Sequence, residues 1–280
     1  MTLPISIHHF AAGTRSHGVV VLATALAALC LIRVGQRLAD AAAARPGWRS
    51  APRRFARLLG GGMLAVWLAV LARDLLPDRR GWAESLPLHL CDVAGLVGAA
   101  ALYTGRRPLR AVLHLWAFTF TVQAFLMPVV KVGPARMDFW LYWVSHGAIV
   151  AAAAYDATVL GFRPRWADWR TAVLATLAYV AVVLPVDAAL GANYGYVGDT
   201  GGARQSLVAA FGPWPGRVPV LVAAAAAVMA GLTLPWELAA AWGRRRQDAV
   251  GVLKRPTEPV GPGPYTLVDV HVRPPRRAAA

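Results

Sequence analysis

Residues 18–36 read GVVVLATALAALCLIRVGQ, nineteen positions with Arg33 as the sole charge. A run of that length and composition matches the roughly 20 residues a helix needs to cross about 30 Å of hydrocarbon. The same pattern recurs along the chain, at 58–76, 87–104, 109–130, 138–160, 171–190 and 218–241. The remaining composition agrees: 57% of the 280 residues are hydrophobic, only 15% are charged, and mean hydropathy is +0.47. A soluble domain of ordinary composition is more charged than this. The expected fold class is therefore all-α, a polytopic membrane bundle of about seven transmembrane helices. Span four carries His114 and Gln123, so six or eight helices are the alternatives to seven. The second span contains Gly60-Gly61-Gly62 and the fourth ends at Pro128, both better tolerated in lipid than in water.

The formal net charge of +15 raises the question of nucleic acid, and its distribution argues against it. Seven arginines from Arg33 to Arg57 lie around the first inter-span loop. Arg106, Arg107 and Arg110 fall at the third loop, and Arg163, Arg165 and Arg170 at the fifth. Eight further basic residues follow from Arg244, so these alternate regions hold 21 of the 29 Lys and Arg. That alternation is the positive-inside pattern, and it predicts an outside N-terminus and a cytoplasmic C-terminus. No cleavable signal stands out before residue 17, so span one is expected to remain in the mature protein. Residues 1–242 then form the membrane domain. Residues 243–280 form a basic, Pro/Gly-rich cytoplasmic tail whose composition favours disorder. The expected location is the cell membrane, and no cofactor is implied.

Polar chemistry collects toward the outer ends of the spans. LPLHLCD (86–92) opens span three, with Ser85 as the expected N-cap and Pro87 in the first turn. His89 and Asp92 share a helix face, whereas Cys91 lies about 200° round from His89. His89 is thus a poor base for Cys91. Taken alone, Cys91 reads more readily as packing than as a nucleophile. Cys30, near the other end of span one, reads as a small buried hydrophobe too far in depth to pair with Cys91. Span five, DFWLYWVSHGAIV (138–150), carries Asp138, Tyr142 and His146 near one stripe. His146 falls about 12 Å below the outer end, where an ionisable group by default marks a functional site, although a hydrogen-bonded core histidine accounts equally for the spacing. ALGANYGYVG (189–198) supplies Asn193 and Tyr194, and FGPWPG (211–216) supplies Trp214. These also suit an interfacial aromatic belt and its turns. Gln123 reaches the same outer half from span four.

LPLHLCD, the Gln123–Pro128 segment, FWLYWVSH, ANYGY and FGPWP, in that order, resemble the YwaF-like bacterial integral membrane proteins. That family includes the animal transmembrane protein 164, an acyltransferase that builds ether phospholipids. The resemblance covers roughly residues 55–240. It implies that Cys91 is the catalytic cysteine and His146 the catalytic histidine. The expected substrate-binding residues around them are His89, Asp92, Gln123, Tyr142, Asn193, Tyr194 and Trp214. One departure is visible at Met127-Pro128-Val129, where relatives tend to carry Thr-Pro and then an acidic residue. The implied activity is CoA-independent acyl transfer between membrane phospholipids and lysophospholipids by way of a thioester. A transporter would use similar polar features but typically shows an internal repeat, and spans one to three share no motif with spans five to seven. A metal site built from His89, Cys91 and His146 is disfavoured because the first two lie on opposite helix faces. The alternative to the enzyme is a non-catalytic or transport-related membrane protein.

Overall fold

A computed structural model of the chain describes residues 8–76, 85–199 and 211–253. Each of the seven apolar runs coincides with a helix or an interrupted helix. They are α1 (Arg15–Ala44), α2 (Ala51–Asp74), α3 (Leu90–Thr104), α4 (Arg107–Trp116) continued by α5 (Gln123–Leu126), α6 (Met137–Thr158), α7 (Trp166–Leu190) and α8 (Arg217–Leu253). Five of these runs are long and apolar enough to span a membrane; α3, at 15 residues, is shorter, and α6 has 22. The protein is a multi-pass helical membrane protein, with five to seven helices long and apolar enough to cross a membrane among the described residues. Span four is one broken run rather than two spans. A π-helical turn at Ala117–Thr121 joins α4 to α5, with the Val122 N–H bonding the Ala117 carbonyl five residues back.

Close helix approach is built on small residues, as expected where lipid removes the hydrophobic drive for association. Gly60 of α2 meets α3, and a side-chain carbon there would lie 2.8 Å from the Ala99 carbonyl oxygen. Gly98 of α3 similarly faces Met63 of α2 and Leu113 of α4. Gly61 and Gly62 have nothing nearby, so one glycine of the triplet does the packing. Outward-facing surfaces stay apolar, and Cys30 sits on one of them. It is exposed on α1, not buried as the sequence reading expected. An outer helix in lipid has no need to cover its apolar side.

The two ends of the body, which runs through Ala239, differ in chemistry. At one end, Arg107 pairs with Asp168 (2.6 Å) and Arg110 with Asp156 (2.9 Å), linking the start of α4 to α7 and α6. Phe162 lies beneath both guanidinium groups, and Tyr155 donates to the Pro52 carbonyl. The opposite end carries Arg73–Asp138 between α2 and α6. There residues 8–10 lie along 131–133, with Phe10 donating its N–H to the Lys131 carbonyl. Phe10 is buried against Phe139 and Trp143, and His17 Nε2 bonds the Phe125 carbonyl oxygen at 2.9 Å. Met127-Pro128-Val129 precedes the paired stretch 131–133, with Met127 and Val129 exposed.

The C-terminal unit begins at Ala240. Where the sequence reading started a disordered tail at 243, α8 continues through Arg244, Arg245 and Arg246 to Leu253. No proline or glycine-rich stretch interrupts it before that point. The rest of the tail lies outside the described residues.

Candidate functional site

The start of α3 differs from the sequence expectation in a way that matters for Cys91. Ser85 and Pro87 do not begin the helix; His89 is its N-cap and Leu90 its first residue. Two tyrosines account for the delay. Tyr194 Oη accepts the Leu86 N–H (3.1 Å), and Tyr179 Oη donates to the Leu88 carbonyl (2.7 Å). These bonds hold 86–88 out of helical geometry until the chain has passed both anchors. Gly195 makes room for Tyr179: it adopts φ +60°, and a side-chain carbon there would lie 2.6 Å from the Tyr179 hydroxyl.

With the helix starting at Leu90, Cys91 occupies its first turn. The N–H groups of a first turn lack intrahelical acceptors, and the helix dipole there favours negative charge. Cys91 also lines a shallow, open cleft between α2, α3 and α6 whose own volume is about 20 Å³, room for about one water molecule. Met63, Val66, Trp67, Val70, Gly95 and Ile149 form its apolar wall, and Asp92 and Ser145 its polar one. The surface continues from Trp67, Val70 and Asp92 to Asp74, Ser85 and Pro87. Apolar and polar side chains thus both line it.

His146 lies on α6, which packs against α3. Its Nδ1 is 2.7 Å from the Tyr142 carbonyl oxygen. A carbonyl only accepts, so that nitrogen carries the proton and Nε2 keeps the lone pair. The Tyr142 ring lies 4.3 Å from the imidazole and its hydroxyl donates to the Ala124 carbonyl, tying α6 to α5. Tyr142 and Cys91 are electrostatic neighbours, as are His89 and His146. Cys91 and His146 thus sit on two helices that pack together, but no hydrogen bond joins them among the described residues and His146 does not line the cleft. His146 is one residue from Ser145, a cleft-lining group that donates to the Tyr142 carbonyl.

The other expected binding residues divide. His89 and Tyr194 come together, with ring centroids 4.8 Å apart, and Asp92 lines the cleft. Gln123 donates to the Thr119 carbonyl of its own span. Asn193 Oδ1 accepts the Gly198 N–H, and Trp214 Nε1 donates to the Val197 carbonyl. These three brace local backbone, and none lines the cleft. Sequence reasoning did not single out Trp67, Ser145 or Thr121, the last a buried hydroxyl residue beside Cys91. The one available signal was the pair of threonines in FTFTVQ, polar groups inside an apolar span.

Comparison with known proteins gives two matches and one blank. The sequence pattern of the TMEM164 family matches residues 9–233. An uncharacterized protein of Treponema pallidum (strain Nichols) is 28% identical over 138 residues, which is 49% of this chain and 58% of that protein. The chain thus spans less than two thirds of that relative. No solved structure matches.

Proposed function

This chain belongs to the TMEM164 family, and on that footing we propose that it is a membrane-embedded lipid acyltransferase with a Cys91–His146 pair. The observation that carries this reading is the position of Cys91, in the first turn of α3 and on the wall of an amphipathic cleft. A surface lined by both apolar and polar side chains suits a phospholipid, which carries both kinds of group.

The chemistry follows from the groups present. His146 Nε2 takes the thiol proton, and the sulfur attacks an ester carbonyl carbon of a phospholipid. As the tetrahedral adduct collapses, the ester C–O bond breaks and the departing lysophospholipid oxygen takes the proton from the imidazolium. An acyl thioester remains on Cys91. A second lysophospholipid hydroxyl, deprotonated by His146, attacks that thioester and releases the thiol. The reaction exchanges one ester for another and needs no CoA or ATP. The N–H groups at the start of α3 are the nearest set of donors for the developing oxyanion.

The assignment of sides belongs to the same proposal. The arginine-rich end holds Arg107, Arg110 and Arg163 and faces the cytoplasm; the Cys91 end faces the outer leaflet of the cell membrane. Cysteine introduced as Arg49→Cys should resist a membrane-impermeant maleimide applied from outside, and ready labelling there would reverse the orientation. The activity itself is tested by comparing the lipids of cells expressing wild-type protein or Cys91→Ala. Wild-type cells should redistribute acyl chains among phospholipids, and the variant should match cells without the protein. Identical lipid profiles for wild type and variant would remove the acyltransferase reading.

A further inference from the structure

Six threonines in the helices spend their hydroxyls in the same way. Thr24, Thr104, Thr158, Thr171, Thr176 and Thr233 each donate to the carbonyl four residues back, at 2.7–3.0 Å. This back-bonding is how a hydroxyl is normally satisfied inside lipid. Neither Thr119 nor Thr121 follows the pattern, and Thr121 is the more deeply buried of the two. It ends the π-helical turn at Ala117–Thr121, where the chain bonds five residues back rather than four. Its side chain is fully buried, at 0% exposure, and its Oγ1 has no hydrogen-bond partner. The group beside it is the Cys91 thiol.

A π turn costs helical regularity, and such turns recur at functional sites. Here its effect is to free a hydroxyl and set it against a sulfur. A neutral thiol is a weak acceptor, so little is gained from the contact at rest. A thiolate is a charged acceptor, and hydrogen bonds to charged groups are the stronger class. The bond therefore gains strength as the proton leaves, which is when a nucleophile in an apolar cleft needs it. Cys91 needs this donor because an ion at that depth has little water to replace it.

We propose that Thr121 is a further catalytic residue, whose hydroxyl donates a hydrogen bond to the Cys91 sulfur as it becomes the thiolate. This rests on Cys91 being the nucleophile of the proposed acyl transfer. The test is modification of purified protein by methyl methanethiosulfonate, which forms a methyl disulfide on the thiolate and releases methanesulfinate, across a range of pH, in a Cys30→Ala background so that one thiol reports. Thr121→Val keeps the shape and removes the donor; Thr121→Ser keeps the donor. In Thr121→Val the rate near neutral pH should fall about tenfold, with the pH profile moved up by about one unit, the effect of losing one charge-assisted bond. Thr121→Ser should restore both. A Thr121→Val profile that overlays wild type would overturn the assignment. So would a slower rate with an unmoved profile, because that reports access to the thiol rather than its ionisation. If wild type shows the Thr121-dependent profile yet transfers no acyl chain, the donor stands and the acyltransferase reading falls.

Discussion

Cys91→Ala and His146→Ala should each lose acyl transfer almost completely, and the double variant should be hardly worse than either. The two side chains act in one step, the removal of the thiol proton and the attack by sulfur. Removing either partner of such a unit usually costs about as much as removing both. A general base in this role is worth roughly 10²–10⁴-fold, and the nucleophile at least as much. Independent contributions would instead multiply, leaving the double variant several decades below the singles. Cys30→Ala should be silent, since that thiol is exposed on α1. Initial rates of transfer from a labelled phospholipid to a lysophospholipid, in proteins of equal thermal stability, decide the matter. Activity in His146→Ala near that of wild type would take the imidazole out of the mechanism.

The second large effect belongs to the other end of the bundle. Asp156→Ala should lower stability by about 3–5 kcal/mol, the usual result of stripping one partner from a buried ion pair. Asp156 is 1% exposed, and both its oxygens lie 2.9 Å from Arg110 Nε. Without the carboxylate, the guanidinium keeps the Leu160 carbonyl and the face of Phe162 but no counter-ion for its charge. In a chain of this size the loss corresponds to roughly 10 °C in the midpoint of thermal unfolding in detergent. Replacing both partners, as Arg110→Met with Asp156→Leu, should recover most of it, because an apolar pair has no charge to strand. An unchanged midpoint in Asp156→Ala would show that the pair contributes nothing to holding α4 on α6.

Much of this architecture was legible in the sequence, for one physical reason. Lipid offers the backbone no hydrogen bonds, so a long apolar run has to become a helix whatever its neighbours do. That is why all seven runs became helical, while helix ends proved harder to place. Ser85 and Pro87 are sound start signals by local chemistry, yet Tyr194 and Tyr179 hold residues 86–88 out of the helix from more than 90 positions away. Local pattern cannot register such anchors. At 243 the loss of apolar character marks where a span ends, whereas the helix runs on to Leu253.

The site was legible in part. Tyr142 does contact His146, by its ring and by its carbonyl, and the same stripe sends Asp138 to Arg73 rather than to the site. Gln123, Asn193 and Trp214 stood out as polar or aromatic residues at the outer end. In the structure each bonds nearby backbone, as buried polar groups generally do. Thr121 was invisible because a π turn has no sequence signature of its own. Its hydroxyl would otherwise be assigned to the carbonyl four residues back.

The central claim is that Cys91 carries the acyl chain, and trapping that chain tests it most directly. Purified protein would be mixed with phospholipid labelled in its acyl group, quenched in acid and treated with hydroxylamine, which cleaves thioesters at neutral pH. The account predicts label on wild-type protein, located to Cys91 by mass spectrometry and released by hydroxylamine, with none on Cys91→Ala. Label that persists on Cys91→Ala, or transfer that proceeds without Cys91, would contradict it and return this thiol to a packing role.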